Sequence, residues 1–100
     1  MKAAAEATRV VLASSVDIAS AAALRAELDT ALAAGRPIEL DAGDTGRVDG
    51  AALQLLAAFA AAARRRGLGL RWSRVHPNVA AGAALLGLAE ALGVGGRADA

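Results

Sequence analysis

The 100-residue chain contains no cysteine, which removes disulfide frameworks, thiolate metal sites, iron–sulfur clusters and cysteine nucleophiles together. A fold without such staples rests on its hydrophobic core, and a reducing, cytoplasmic setting is expected. Aromatic side chains are nearly absent as well. One Phe, one Trp and no Tyr leave no platform on which bases or sugars would stack. Charge of one sign is also missing: eleven Lys and Arg against ten Asp and Glu give a formal net charge of +1. No field exists that would neutralise a phosphate backbone, so no nucleic-acid partner is expected. Met1 to Ala7 carries one Lys and lacks the apolar core of about 7 to 15 residues that an export signal requires. The longest apolar run, Ala51 to Ala63, is interrupted by Gln54 and stopped by Arg64, short of the roughly 20 residues needed to cross a bilayer. Direct membrane insertion is not expected.

What is present is alanine. Of the 56% of residues that are hydrophobic, 30 are Ala, so the core must be close-packed rather than bulky. The length suits one domain, here placed at 8–93, with flexible ends at 1–7 and 94–100. Ten of the eleven basic residues are Arg, a skew that, with the Ala and Gly excess, reads as GC-rich codon usage and carries no functional meaning.

Along the chain, Thr8-Arg-Val-Val-Leu-Ala13 reads as a strand ending at Ser14-Ser15. A second brief apolar stretch follows at Val16 and Ile18. From Ser20, an expected N-cap, the period becomes helical, with Leu24, Leu28, Ala31 and Leu32 on one side and Gly35 as the stop. Pro37 to Leu40 reads as the next strand, and Asp41 to Gly46 as a loop of solvated acids. Asp49 then precedes a mostly buried helix with Leu53, Leu56, Ala57, Ala60 and Ala63 in line and Leu55, Phe59 and Ala62 beside them. Arg64 to Arg66 close that helix as a complement to its dipole. Leu68 to Trp72 suits a further strand, His76-Pro77 opens a helix, Gly87 breaks it, and Leu88 to Leu92 forms a closing turn. Alternation of this kind predicts an α/β fold with helical crossovers.

The segment from Leu40 to Leu56 resembles the STAS domain, shared by anti-sigma factor antagonists and the cytoplasmic ends of sulfate transporters. There a strand ends in an acidic loop, and an Asp-Ser-Ser-Gly-Leu or Asp-Ser-Ala-Gly-Leu type motif opens the next helix. Asp49-Gly50-Ala51-Ala52-Leu53 occupies that place. The resemblance runs from about Arg9 to Leu92, supported by Val16-Asp17, by the strand entry Arg66-Gly67-Leu68 and by Gly87-Leu88. It implies a STAS-like α/β sandwich with a small mixed four-stranded sheet and helices packed mainly on one face. In phosphorylated antagonists a partner kinase modifies a Ser or Thr just after the motif Asp. Here those positions are Gly50 and Ala51, which lack a hydroxyl; the motif Gly is Ala52, and Ser14 stands where a Gly commonly precedes strand two.

Asp49 admits two compatible roles, an acid facing a partner and a helix cap. Asp41, Asp44 and Asp49 are spaced unlike any calcium loop. His76, the only histidine, has no nucleophile elbow near Ser73 and reads as structural. Gly67-Leu-Gly and Gly93-Val-Gly-Gly do not lead into helices and cannot cradle a phosphate. No catalytic residue, cofactor or metal is expected. The resemblance implies a bacterial, non-catalytic protein-interaction module of signal transduction, like an anti-sigma factor antagonist without the phosphoswitch. Its partner-binding residues would be Asp17, Asp49, Gly50, Ala51, Ala52 and Leu53. The partner would be an anti-sigma or switch kinase, a chemotaxis component or a transporter ATPase. The last would make the chain an accessory subunit of a lipid-trafficking ABC transporter, although such relatives often keep a Thr where Gly50 stands.

Overall fold

A computed structural model describes residues 6–94. Five short strands alternate with helices in the order β1 (Thr8–Val11), β2 (Ser15–Val16), α1 (Ala21–Ala34), β3 (Ile38–Ala42), β4 (Arg47–Val48), α2 (Gly50–Arg65), β5 (Leu70–Val75), α3 (Pro77–Leu85) and α4 (Ala89–Leu92). The expected α/β class is what forms. The expected single mixed sheet of four strands is not: β1, β3 and β5 make a parallel sheet in the order β1-β3-β5, and β2 pairs with β4 in a separate parallel pair. The connections explain this. Both β1 to β3 and β3 to β5 pass through a helix, and a helical crossover returns the chain parallel to its start.

Alternation along the strands gives the three-stranded sheet two different faces. Val10, Leu40 and Trp72 are register partners. All three are buried, in one cluster with Leu24 and Leu28 of α1, Leu53, Leu56 and Phe59 of α2, and Val79 of α3. The helices therefore pack on this face. The Trp72 indole N–H, buried with the ring, donates to the Leu92 carbonyl at 2.8 Å and ties the sheet to the end of α4. Close packing requires one residue without a side chain at Gly82, where an added Cβ would lie 3.1 Å from Leu53 Cδ1.

Helix ends follow from local chemistry. Gly35, at φ +68°, closes α1, and Gly87, at φ +70°, follows the end of α3. Ser20 occupies the position before α1 but makes no side-chain cap, against expectation. Its hydroxyl is engaged with Asp17 instead: the Asp17 N–H donates to Ser20 Oγ at 3.0 Å, and the Ser20 N–H donates to Asp17 Oδ1 at 3.1 Å. This reciprocal pair has the logic of a capping box and shifts the cap three residues upstream. Arg64 and Arg66 reach beyond their own helix, donating to the carbonyls of Ala91 at 3.0 Å and Leu32 at 3.2 Å, so they serve the C-terminal ends of α4 and α1 as well. Val94, placed in the tail by the sequence, is buried in the core, and its N–H donates to Ala89 O at 3.0 Å. Of the flexible ends expected at 1–7 and 94–100, residues 1–5 and 95–100 lie outside the described residues.

Candidate functional site

The site begins at the start of α2. Asp49 has extended backbone angles, and its Oδ1 accepts from the Ala52 N–H at 2.9 Å, a helix cap of the kind Asp makes well. Its other oxygen, Oδ2, accepts from the Ile18 N–H at 3.0 Å, and the Asp49 N–H donates to Val16 O at 3.1 Å. One carboxylate thus fastens the first turn of α2 to the segment after β2. Asp17 and Asp49 line one open cleft with Ser15, Val16, Arg47 and Val48. The two acids singled out from sequence are brought together; Asp49 spends both carboxylate oxygens on internal hydrogen bonds and Asp17 its Oδ1.

The four residues after Asp49 divide by exposure. Gly50 and Ala51 face solvent, whereas Ala52 and Leu53 are buried. Ala52 and Leu53, expected among the partner-binding residues, have their side chains turned inward by helical periodicity, where they anchor the helix. Around the exposed pair lies an apolar rim that sequence reasoning missed. Ile18 is 75% exposed, Leu86 48% and Leu85 87%. An added Cβ on Gly50 would meet Leu86 Cδ1 at 3.4 Å, and the Ile18 N–H is bonded to Asp49 Oδ2, so Leu86 and Ile18 both lie beside the start of α2. Ile18 reads as strand in an alternating pattern, and Leu85-Leu86 as ordinary helix. The signal that could have exposed them is the early closure of α3, before Gly87, which leaves both leucines past the core-facing positions Val79 and Ala83.

Of the acids expected in a solvated loop, Asp44 is exposed, but Asp41 is not solvated. Asp41 belongs to β3 and is 1% exposed, accepting from the Gly43 N–H at 3.0 Å and from Arg74 Nε at 3.0 Å and Nη2 at 3.2 Å, with Arg9 also bonded to it. The Gly43 N–H, followed by the Arg74 and Arg9 guanidinium groups, outweighs desolvation and lowers its pKa to about 2. A Cβ at Gly43 would come within 2.5 Å of the Arg74 guanidinium carbon, so a larger residue there would displace that side chain from its place beside Asp41. Thr45 is buried too, its hydroxyl donating to Ala13 O at 2.8 Å. His76 caps α3, its Nδ1 accepting from the Asn78 N–H at 3.0 Å.

Among the described residues no three His, Asp or Glu side chains converge as metal ligands, and no helix is long and apolar enough to cross a membrane. The arrangement offers a surface, with an exposed helix start and apolar neighbours, rather than a set of reacting groups. No curated protein and no solved structure gives a match. A family model described as "Mlab, STAS domain" matches residues 1–94. The chain belongs to the STAS domain family, whose members are small modules of the anti-sigma factor antagonist-like or transporter-associated kind.

Proposed function

We propose that the protein is a non-catalytic, cytoplasmic docking module that binds a protein partner through the start of α2 and does so without a phosphoswitch. The observation that carries this reading is the exposed pair Gly50 and Ala51, without a hydroxyl between them, set in the rim of Ile18, Leu85 and Leu86. Exposed apolar side chains gathered at one place mark interaction surfaces. Gly50 and Ala51 add no bulk and no charge to that surface, so a partner can approach the helix backbone closely. STAS domains are generally non-catalytic, which agrees with a site built of capped backbone and aliphatic groups. Asp49 and Asp17 hold the surface in shape from beneath.

A switch kinase of the anti-sigma type is the partner that the antagonist-like reading names. The transporter-associated reading, an accessory subunit docking on the ATPase of a lipid-trafficking ABC transporter, uses the same surface and the same family match. Both predict that Ile18→Glu and Leu86→Glu weaken the complex, and titration of each purified candidate separates them. Incubation of the wild type with the kinase and ATP, followed by intact-mass measurement, is expected to show no added phosphate. Ala51→Ser supplies an acceptor at the family position. Phosphate on the wild-type chain, or full affinity in both Glu variants, would overturn the reading.

A further inference from the structure

The uncovered face of the three-stranded sheet carries a row of charges whose layering is uneven. At one level Arg9, Glu39 and Arg71 are register partners across β1, β3 and β5, and at the next level Val11, Asp41 and Arg74 are. The acids sit on the central strand and lie low, with Glu39 at 17% side-chain exposure and Asp41 at 1%. The arginines come from the outer strands and stand over them at 56% for Arg9, 75% for Arg71 and 55% for Arg74. Glu39 holds Arg9 Nε at 3.3 Å and Arg71 Nη2 at 3.1 Å, while Asp41 holds Arg74 and Arg9.

Arg74 reaches this face only because of an irregularity. The register shifts between Leu40 and Asp41, so Leu40 faces Trp72 while Asp41 faces Arg74. Without that extra residue, strict alternation would turn Arg74 to the same side as the buried Trp72. A bulge re-aims a side chain in this way at the cost of ladder regularity. Gly43 clears the space into which the guanidinium then lies.

A guanidinium has five N–H donors and no acceptor. In this row Arg71 commits one atom and Arg9 two to the acids beneath, and Arg74 adds Asp44 at 3.5 Å to its two bonds with Asp41. The arginines that stand over the carboxylates occupy their oxygens, and each guanidinium carries more donors than these bonds use. The exposed layer is therefore rich in donors whose carriers are already oriented, which lowers the entropy cost of engaging a planar anion. We infer that this face is a second interaction surface that takes an acidic peptide segment of a protein partner, with carboxylates meeting Arg9 on β1 and Arg71 and Arg74 on β5, outer strands roughly 10 Å apart.

An anionic bilayer fits less well. Three arginines stand against Glu39, Asp41 and Asp44, so the face has no net charge to draw it to a membrane from a distance, and membrane-binding clusters usually gather about four to eight cations. Recognition here depends on short-range paired hydrogen bonds instead.

The test uses a synthetic hexaglutamate peptide titrated into the labelled full chain and followed by NMR. Expected are saturable shifts in the Arg9, Arg71 and Arg74 side-chain N–H signals, and at least a tenfold weaker Kd in Arg71→Gln. That variant keeps its fold because Glu39 retains Arg9, and an unchanged melting temperature checks this. Arg65→Gln, in the cluster at the end of α2, should bind like the wild type. Shifts that do not saturate, an Arg71→Gln affinity equal to that of the wild type, or an equal loss in Arg65→Gln would overturn the inference. So would co-sedimentation with phosphatidylglycerol vesicles that Arg71→Gln abolishes, because it would assign the face to lipid.

Discussion

Asp49 joins three parts of the molecule through one carboxylate and its own N–H: the first turn of α2, the Ile18 N–H and the β2 backbone at Val16. Asp49→Ala is expected to lower stability by about 1–2 kcal/mol, the range for losing a helix cap. Asp49→Asn, whose single amide oxygen can keep the Ala52 bond but whose NH2 cannot accept from the Ile18 N–H, should recover only part of it in urea unfolding. Asp41 sets a pH dependence. Its folded pKa is lowered to about 2 from the ordinary 3.8, so its contribution to stability is fully present above about pH 4 and is lost as pH falls toward 2. A plot of melting temperature against pH should fall less steeply over that window in Asp41→Asn than in the wild type. Equal slopes would contradict the role given to the Gly43 and Arg74 contacts. Asp49 was legible in the sequence because capping depends on neighbours three residues away. Asp41 was not, because its partners Arg9 and Arg74 are 32 and 33 residues distant and only the sheet register brings them together.

At the scale of elements, α2 is the helix on which the core turns. Leu53, Leu56, Phe59, Ala60 and Ala63 are all buried along it, and this side was readable from period alone. Leu56→Ala is expected to cost about 2–5 kcal/mol, as lost transfer energy and a cavity add. Against a total on the order of 5–15 kcal/mol for a domain of this size, that is enough to be seen plainly in thermal melts. An unchanged melting temperature would mean that α2 is rotated away from the sheet. The shortest elements resisted reading for the opposite reason. β4 is two residues, Arg47 and Val48, too few to show any alternation, and it exists because Val16 and Asp49 hold it in register with β2. β5 runs to Val75 rather than ending at Trp72, since the bulge that carries it onward is set by pairing with β3. Helical stretches announced themselves; strands of two to six residues depended on long-range partners.

At the scale of the whole molecule, the helices cover one side of the three-stranded sheet, and the start of α2 emerges beside the β2–β4 pair with its apolar rim exposed. Membership of the STAS domain family and the α/β class followed from the order of elements and the Asp49 to Leu53 motif. The division of strands into two parallel sheets did not, because it depends on where the Ala13-Ser14 turn sends the chain after β1. A partner is proposed to dock on the Gly50 and Ala51 surface as an unmodified face. Ala51→Asp tests it most directly. The new carboxylate lies in the first turn of α2, where the helix dipole favours it, so circular dichroism and melting temperature should match the wild type. A docked partner would have to desolvate that charge without a counterion placed for it. Calorimetric titration of the kinase or ATPase that binds the wild type should therefore show affinity reduced by about a hundredfold or more. Equal affinity of wild type and Ala51→Asp, with both folded, would contradict the account and move the interface away from the start of α2.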